Sequence, residues 1–131
     1  MILLDTHIFL WMNLEQEKLP PALTHAIAAE PTLGLAAISL WEIAMLVQYR
    51  RVSIPDPSLR EWFQVTLPAP KLRILPLTPD IASRSASLDM HGDPADRLIA
   101  ATALEHGCRL ATVDSKLTGL NWLDTVSLDA P

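Results

Sequence analysis

Apolar residues in this chain fall into short runs that stop abruptly on polar or proline-containing stretches. Met1 to Leu4 is uninterrupted and ends on Asp5, the pattern of a strand buried on both faces. Leu33 to Ala37, Leu72 to Leu77 and Cys108 to Val113 read as further strands, and Thr125 to Leu128 as a short fifth. Helical signals lie between them. Pro20-Pro21 opens a helix over Ala22–Ala29, since proline is tolerated in a first turn. From Ser39 to about Arg51, the residues Leu40, Ile43, Ala44 and Val47 share one helical stripe. Ser58 is placed to cap a helix carrying Leu59, Trp62, Phe63 and Val65. Thr78-Pro79 begins another that runs to about Leu88, and Asp93-Pro94 opens Ala95–Glu105, closed by Gly107. Phe9-Leu10-Trp11-Met12 is too short to classify.

Apolar strands without period-two alternation, separated by helices, predict an α/β fold with a parallel sheet covered on both faces. No repeat, low-complexity tract or linker divides the chain, so one domain over residues 1–131 is expected. In such folds ligands bind beyond the carboxyl ends of the strands. Chemistry is therefore expected where apolar runs end.

Four acids meet that condition. Asp5 follows the first strand and Asp114 the fourth, while Glu42 and Asp96 lie near the starts of helices that follow loops. Each has a purely structural explanation. Ser39-x-x-Glu42 matches a capping box, Asp93-Pro94-Ala95-Asp96 has the same form, and Asp114 precedes a short helical segment. Asp5 does not fit so easily: a lone carboxylate after a buried strand is expensive, and Thr6 offers a cap without the charge. A shared edge accounts for all four together. Clustered carboxylates raise one another's pKa unless a cation holds them, and hard divalent cations take oxygen ligands.

Composition adjusts this picture in a few places. Charged residues make up 19% of the chain and hydrophobic ones 50%, so the surface is short of polar cover and a self-association or partner face is expected. The apolar candidates for it are the helix Leu40–Val47 and the pair Trp62-Phe63. The net charge of −5 counts against a nucleic-acid binder, an objection weakened because the clustered acids supply much of the deficit. Cys108 is the only cysteine and lies in an apolar run, which excludes a disulfide framework and favours a core role. No apolar run is long enough to cross a membrane and the first residues lack a signal-peptide pattern, so the chain reads as cytoplasmic. His7, His25, His91 and His106 lack zinc-helix spacing; His7 and His91 are placed as flanking residues. No Gly-rich phosphate loop or nucleophile elbow is present.

The segments Leu4-Asp5-Thr6-His7, Ser39-Leu40-Trp41-Glu42-Ile43-Ala44, His91-Gly92-Asp93-Pro94-Ala95-Asp96-Arg97-Leu98-Ile99-Ala100-Ala101 and Leu110-Ala111-Thr112-Val113-Asp114 together resemble PIN-domain ribonucleases. More narrowly, they resemble VapC-type toxins of type II toxin–antitoxin pairs. Each motif is weak alone; four in order across nearly the whole chain are specific. The resemblance implies a three-layer α/β/α sandwich with a central, mostly parallel sheet of four or five strands. It also implies an endoribonuclease dependent on Mg²⁺ or Mn²⁺, with Asp5, Glu42, Asp96 and Asp114 as the catalytic quartet. Asp5 and Asp96 match the principal metal ligands, and Asp93 matches an additional acid that is either ligand or helix cap. Thr6 and Thr112 are placed to support the ligands by hydrogen bonds. Metal-activated water as the nucleophile would leave a 5′-phosphate and a 3′-hydroxyl. The partners implied are RNA, a cognate antitoxin whose basic tail covers the acidic pocket, and a second copy in a homodimer. Ala95 and Val113 depart from residues common in the family, neither at a ligand position.

Other readings remain at this point. A receiver-like Mg²⁺-binding signalling domain also collects acids at strand ends, but wants paired acids after strand one, where this chain has Leu3-Leu4 before a lone Asp5. A catalytically idle PIN-fold interaction module and a DNA nuclease share the same pattern.

Overall fold

The computed structural model describes residues 1–129; Ala130 and Pro131, the last two positions of the expected domain, lie outside the described residues. Four short strands form one sheet: β1 (Ile2–Leu4), β2 (Leu33–Ala36), β3 (Leu72–Leu75) and β4 (Arg109–Ala111), in the order β3-β2-β1-β4. Every pairing is parallel. The expected fifth strand is reduced to a single bridge between Leu110 and Thr125, because only Leu110 N–H and Val126 N–H find ladder partners there.

Helices cover both faces, as the unalternating strands require. Side chains of adjacent β1 residues point to opposite sides: Ile2 and Leu4 enter a core with Ile8, Phe9, Leu23, Ile27, Ile43 and Trp62, whereas Leu3 joins Ile99, Ala100, Ala103 and Leu110. The first core is closed by α1 (Thr6–Leu14), α2 (Pro21–Ala29), α3 (Ala37–Gln48) and α4 (Leu59–Thr66). The second lies under α6 (Pro94–His106) and the short α7 (Ser115–Thr118), with α5 (Pro79–Ser87) packed on α6. Gly34 of β2 lets Leu75 pack close, since an added Cβ would lie 2.9 Å from Leu75 Cδ1 and force that side chain to shift.

Proline and capping residues set most helix starts as expected. Ser58 and Thr78 accept from Glu61 N–H and Ile81 N–H, and Asp93 Oδ1 accepts from Asp96 N–H at 3.1 Å. Gly107 ends α6 at φ 59°, a left-handed conformation that glycine adopts without a Cβ clash. One expectation needs correction, and two open readings are decided. Phe9–Met12, too short to classify alone, belongs to α1. The helix expected from Ser39 to Arg51 begins at Ala37 and ends at Gln48, so Ser39 is inside it and caps nothing. Trp62, a candidate for either a contact surface or ordinary core packing, is core: it is buried edge-on against Phe9 with ring centroids 6.0 Å apart.

Candidate functional site

The topology places the site. From β1 the chain reaches β2 and β3 on one side and β4 on the other, so the order reverses between β1 and β4 and the connections leaving their carboxyl ends frame a crevice there. Leu4 pairs with Ala111, which makes Asp5 and Thr112 the next residues beyond the ladder although they are 107 positions apart. Thr112 Oγ1 donates to Asp5 Oδ2 at 2.7 Å, and the Thr6 N–H donates to Asp5 Oδ1 at 2.9 Å. Asp5, not Thr6, is thus the cap of α1, and it is only 8% exposed. Burial pushes its carboxyl above the usual aspartate range, and the two hydrogen bonds oppose that shift.

The Thr6 hydroxyl is turned to α3. Its Oγ1 lies 2.9 Å from Ser39 Oγ and 2.5 Å from Glu42 Oε1. One hydroxyl carries one proton, so with Glu42 ionised Thr6 donates to Glu42 and Ser39 donates to Thr6. The capping-box reading of Ser39 and Glu42 fails for this reason: both side chains are engaged by a residue more than thirty positions earlier. Burial raises the Glu42 pKa to about 7; Thr6 holds it down, and Asp5, Asp96 and Asp93 add repulsion.

Asp96 stands in the first turn of α6, capped by Asp93. Its Oδ2 meets His91 Nε2 at 2.8 Å, an ion pair when the ring is protonated. Burial raises the Asp96 pKa, opposed by the His91 hydrogen bond and reinforced by repulsion from Asp93 and Asp114. Asp114 accepts from Lys116 N–H and caps α7, and its own N–H donates to Thr112 Oγ1 at 3.1 Å.

Asp5, Glu42, Asp93, Asp96 and Asp114 all line one pocket of about 290 Å³, with His7, Ile8, Trp11, Val113 and Lys116 completing the wall. All five expected acids are therefore brought together. Asp93 is the helix cap, and it also lines the pocket. Among the described residues no three His, Cys, Asp or Glu side chains stand close enough to form a ready-made ligand set. Burial raises Glu42 and Asp96, and repulsion between the carboxylates adds to it. The donor set fits Mg²⁺ or Mn²⁺ chemically: it is all oxygen, and a carboxylate offers about four acceptor sites, so Asp5 keeps capacity beyond its two internal bonds.

Two further features escaped the sequence. Arg97 is a clamp: it donates to the carbonyls of Ser85, Leu88, Met90 and His91 at 2.8–3.0 Å, holding the loop that presents His91 to Asp96. Lys116, one of the scattered cations in sequence, lines the acidic pocket. The five-residue interval from His91 to Asp96 was the available signal for their contact. Cys108 is buried, and its thiol pKa is raised by burial, in keeping with a core residue.

An all-parallel sheet whose carboxyl edge gathers acids from four separate segments defines a PIN-type fold. The chain belongs to the PIN-domain family, whose sequence model matches residues 2–123. It is 41% identical over 118 residues to the protein named Ribonuclease VapC22 of Mycobacterium tuberculosis, covering 88% of each chain. Among solved structures it resembles VapBC2 from Rickettsia felis bound to a promoter DNA fragment, with TM-score 0.70, 19% identity and 95% and 97% of the two chains covered. A toxin–antitoxin complex from Klebsiella pneumoniae superposes with TM-score 0.67 at 21% identity over 97% and 98%. FitAcB from Neisseria gonorrhoeae gives 0.68 at 23% over 98% of each. At these identities the structures speak for the fold. No helix among the described residues is long and apolar enough to cross a membrane.

Proposed function

We propose that this protein is a Mg²⁺- or Mn²⁺-dependent endoribonuclease acting as the toxin of a toxin–antitoxin pair. The observation that carries the reading is the convergence of Asp5, Glu42, Asp96 and Asp114 on one pocket at the topological break of the sheet. The 41% identical relative named a ribonuclease supports the substrate class, and the toxin–antitoxin complexes among the structural neighbours support an antitoxin partner. Homodimerisation and a basic antitoxin tail over the pocket belong to the same reading.

Asp5 and Asp96 would be the principal ligands of the ion, with Glu42, Asp114 and Asp93 available as further oxygen donors. The ion, when bound, supplies Lewis acidity that lowers the pKa of a water and offsets phosphate charge. Thr6 and Thr112 orient Glu42 and Asp5 by hydrogen bonds, while the acids of the other segments would draw in toward the ion. Glu42, held by the Thr6 hydroxyl at the pocket wall, is placed to orient the attacking water and take its proton. The water oxygen bonds to phosphorus, the bond to the 3′ oxygen breaks, and that oxygen leaves as hydroxyl with a proton from solvent. Lys116 and His7 at the pocket wall are available to the phosphate charge.

The test is cleavage of total bacterial RNA by antitoxin-free protein with Mg²⁺ or Mn²⁺, with EDTA, and with Asp5→Asn protein alongside. Discrete metal-dependent cuts bearing 5′-phosphates, absent in the variant, are expected. Cyclic 2′,3′-phosphate ends, or full activity of Asp5→Asn, would overturn the mechanism. Folded, metal-loaded protein that cuts DNA alone, or nothing, would move the assignment to a DNA nuclease or an idle interaction module.

A further inference from the structure

One wall of the acidic pocket is shared with a second depression. Glu42 lines both, and on the outer face of α3 it is joined by Trp41, Met45, Leu46, Tyr49 and Arg51 around a groove of about 620 Å³. Positions 41, 45 and 49 recur at four-residue intervals, so their side chains follow one face of the helix. The two aromatic rings at the ends of that row are open to solvent: Trp41 is 55% exposed and Tyr49 70%. Eight residues of helix separate them by about 12 Å along the axis. The groove also holds a free cation, for Arg51 pairs with no acid among the described residues. The backbone is bent to put it there. Arg50 adopts φ 59°, where glycine would be less strained, and the N–H groups of Arg51 and Val52 turn back to the Leu46 carbonyl.

We infer that the Trp41–Tyr49 groove is the platform on which bases of the single-stranded RNA flanking the scissile phosphate stack, with Arg51 holding the adjoining phosphate. The inference rests on the ribonuclease reading above and extends it to the substrate's path. Three observations favour RNA over a protein helix as the occupant. The groove adjoins the acidic pocket across Glu42, so a strand with its phosphate in the pocket can leave over this wall. On a chain of net charge −5, an unpaired arginine beside the site matches a polyanion. Exposed rings spaced along a groove that ends on an arginine are what unpaired bases require, since stacking works on any base face.

The experiment measures binding of a single-stranded RNA oligonucleotide of mixed sequence to Asp5→Asn protein, with and without Trp41 substitutions, and cleavage of the same RNA in the active background. Loss of one stacked base weakens binding roughly 10- to 100-fold, so Asp5→Asn/Trp41→Ala should bind RNA that much more weakly. Trp41→Phe should restore most of the affinity and Trp41→Leu should not, which separates stacking from apolar contact. In the active protein Trp41→Ala should raise KM with kcat largely kept. Because Trp41 is exposed, the melting temperature should not move. Equal RNA affinity with and without the Trp41 ring overturns the platform while leaving the ribonuclease intact, as does a Trp41→Ala effect confined to oligomeric mass. RNA that neither binds Asp5→Asn protein nor is cut by the parent removes the ribonuclease reading and the platform with it.

Discussion

Thr112→Val removes one hydroxyl from a side chain with no solvent exposure and nearly preserves its volume, so its effect is a clean readout of the site's internal wiring. That hydroxyl donates to Asp5 Oδ2 at 2.7 Å and accepts from Asp114 N–H at 3.1 Å. A hydrogen bond to a charged group contributes about 1.5–3 kcal/mol, and loss of the acceptor for the Asp114 N–H costs about 1 kcal/mol more. The buried methyl group that replaces the hydroxyl returns about 0.8 kcal/mol. The expected net loss is about 2–3 kcal/mol once Asp5 is ionised. A chain of 131 residues is stabilised by roughly 7–20 kcal/mol, so the variant still folds.

The pH dependence carries the sharper test. The Asp5 pKa is raised in the fold, so the folded state holds this proton more tightly than the unfolded chain, and stability falls as pH rises from about 3.8 through the raised value. The Thr112 bond opposes the shift. Removing it raises the Asp5 pKa further and steepens that fall, so the cost of Thr112→Val is largest once Asp5 is ionised and shrinks in acid. In an Asp5→Asn background the partner is neutral, and the same substitution should cost about 1 kcal/mol less. Urea unfolding of the four proteins in the cycle, at acid and neutral pH, measures this directly. A cost that is independent of pH and identical in both backgrounds would refute the reasoning.

Arg97→Met should cost about 2–4 kcal/mol and speed amide exchange across residues 85–91 relative to β1, because four carbonyls lose one shared donor. Arg97→Lys should not restore it, since a single ammonium cannot span them. In metal-free protein the Glu42 carboxyl should titrate with a midpoint near about 7 by carbon-detected NMR, and higher still in Thr6→Val; this raised value means that Glu42 lowers stability progressively as pH climbs from 4.5 to about 7. A midpoint in the ordinary glutamate range would contradict the buried, repelled environment described for it.

How far the sequence was legible depended on whether local chemistry decided the outcome. The proline-opened helices and the Gly107 stop follow from φ preferences and lone backbone groups, and they stand where expected. The common edge of Asp5, Glu42, Asp96 and Asp114 followed from parallel topology and also stands. Ser39-x-x-Glu42 misled because a capping box and a tertiary hydrogen-bond chain look alike in one dimension; Thr6, remote in sequence, settles the matter. Trp41 and Trp62 are equally apolar in sequence, yet α3 turns one ring outwards and α4 turns the other into the core. The clamp role of Arg97 was illegible for a different reason. Its partners are backbone carbonyls, which every residue has and no sequence marks.

The central claim, that carboxylates from four segments act as one divalent-metal site, is tested most directly by Mn²⁺ binding followed by electron paramagnetic resonance. The parent protein, Asp5→Asn and Asp96→Asn would be titrated alike, with Mg²⁺ as competitor. Binding by the parent, displaced by Mg²⁺ and lost in each variant, is the predicted result. No binding by folded parent protein, or binding that survives both substitutions, would contradict it.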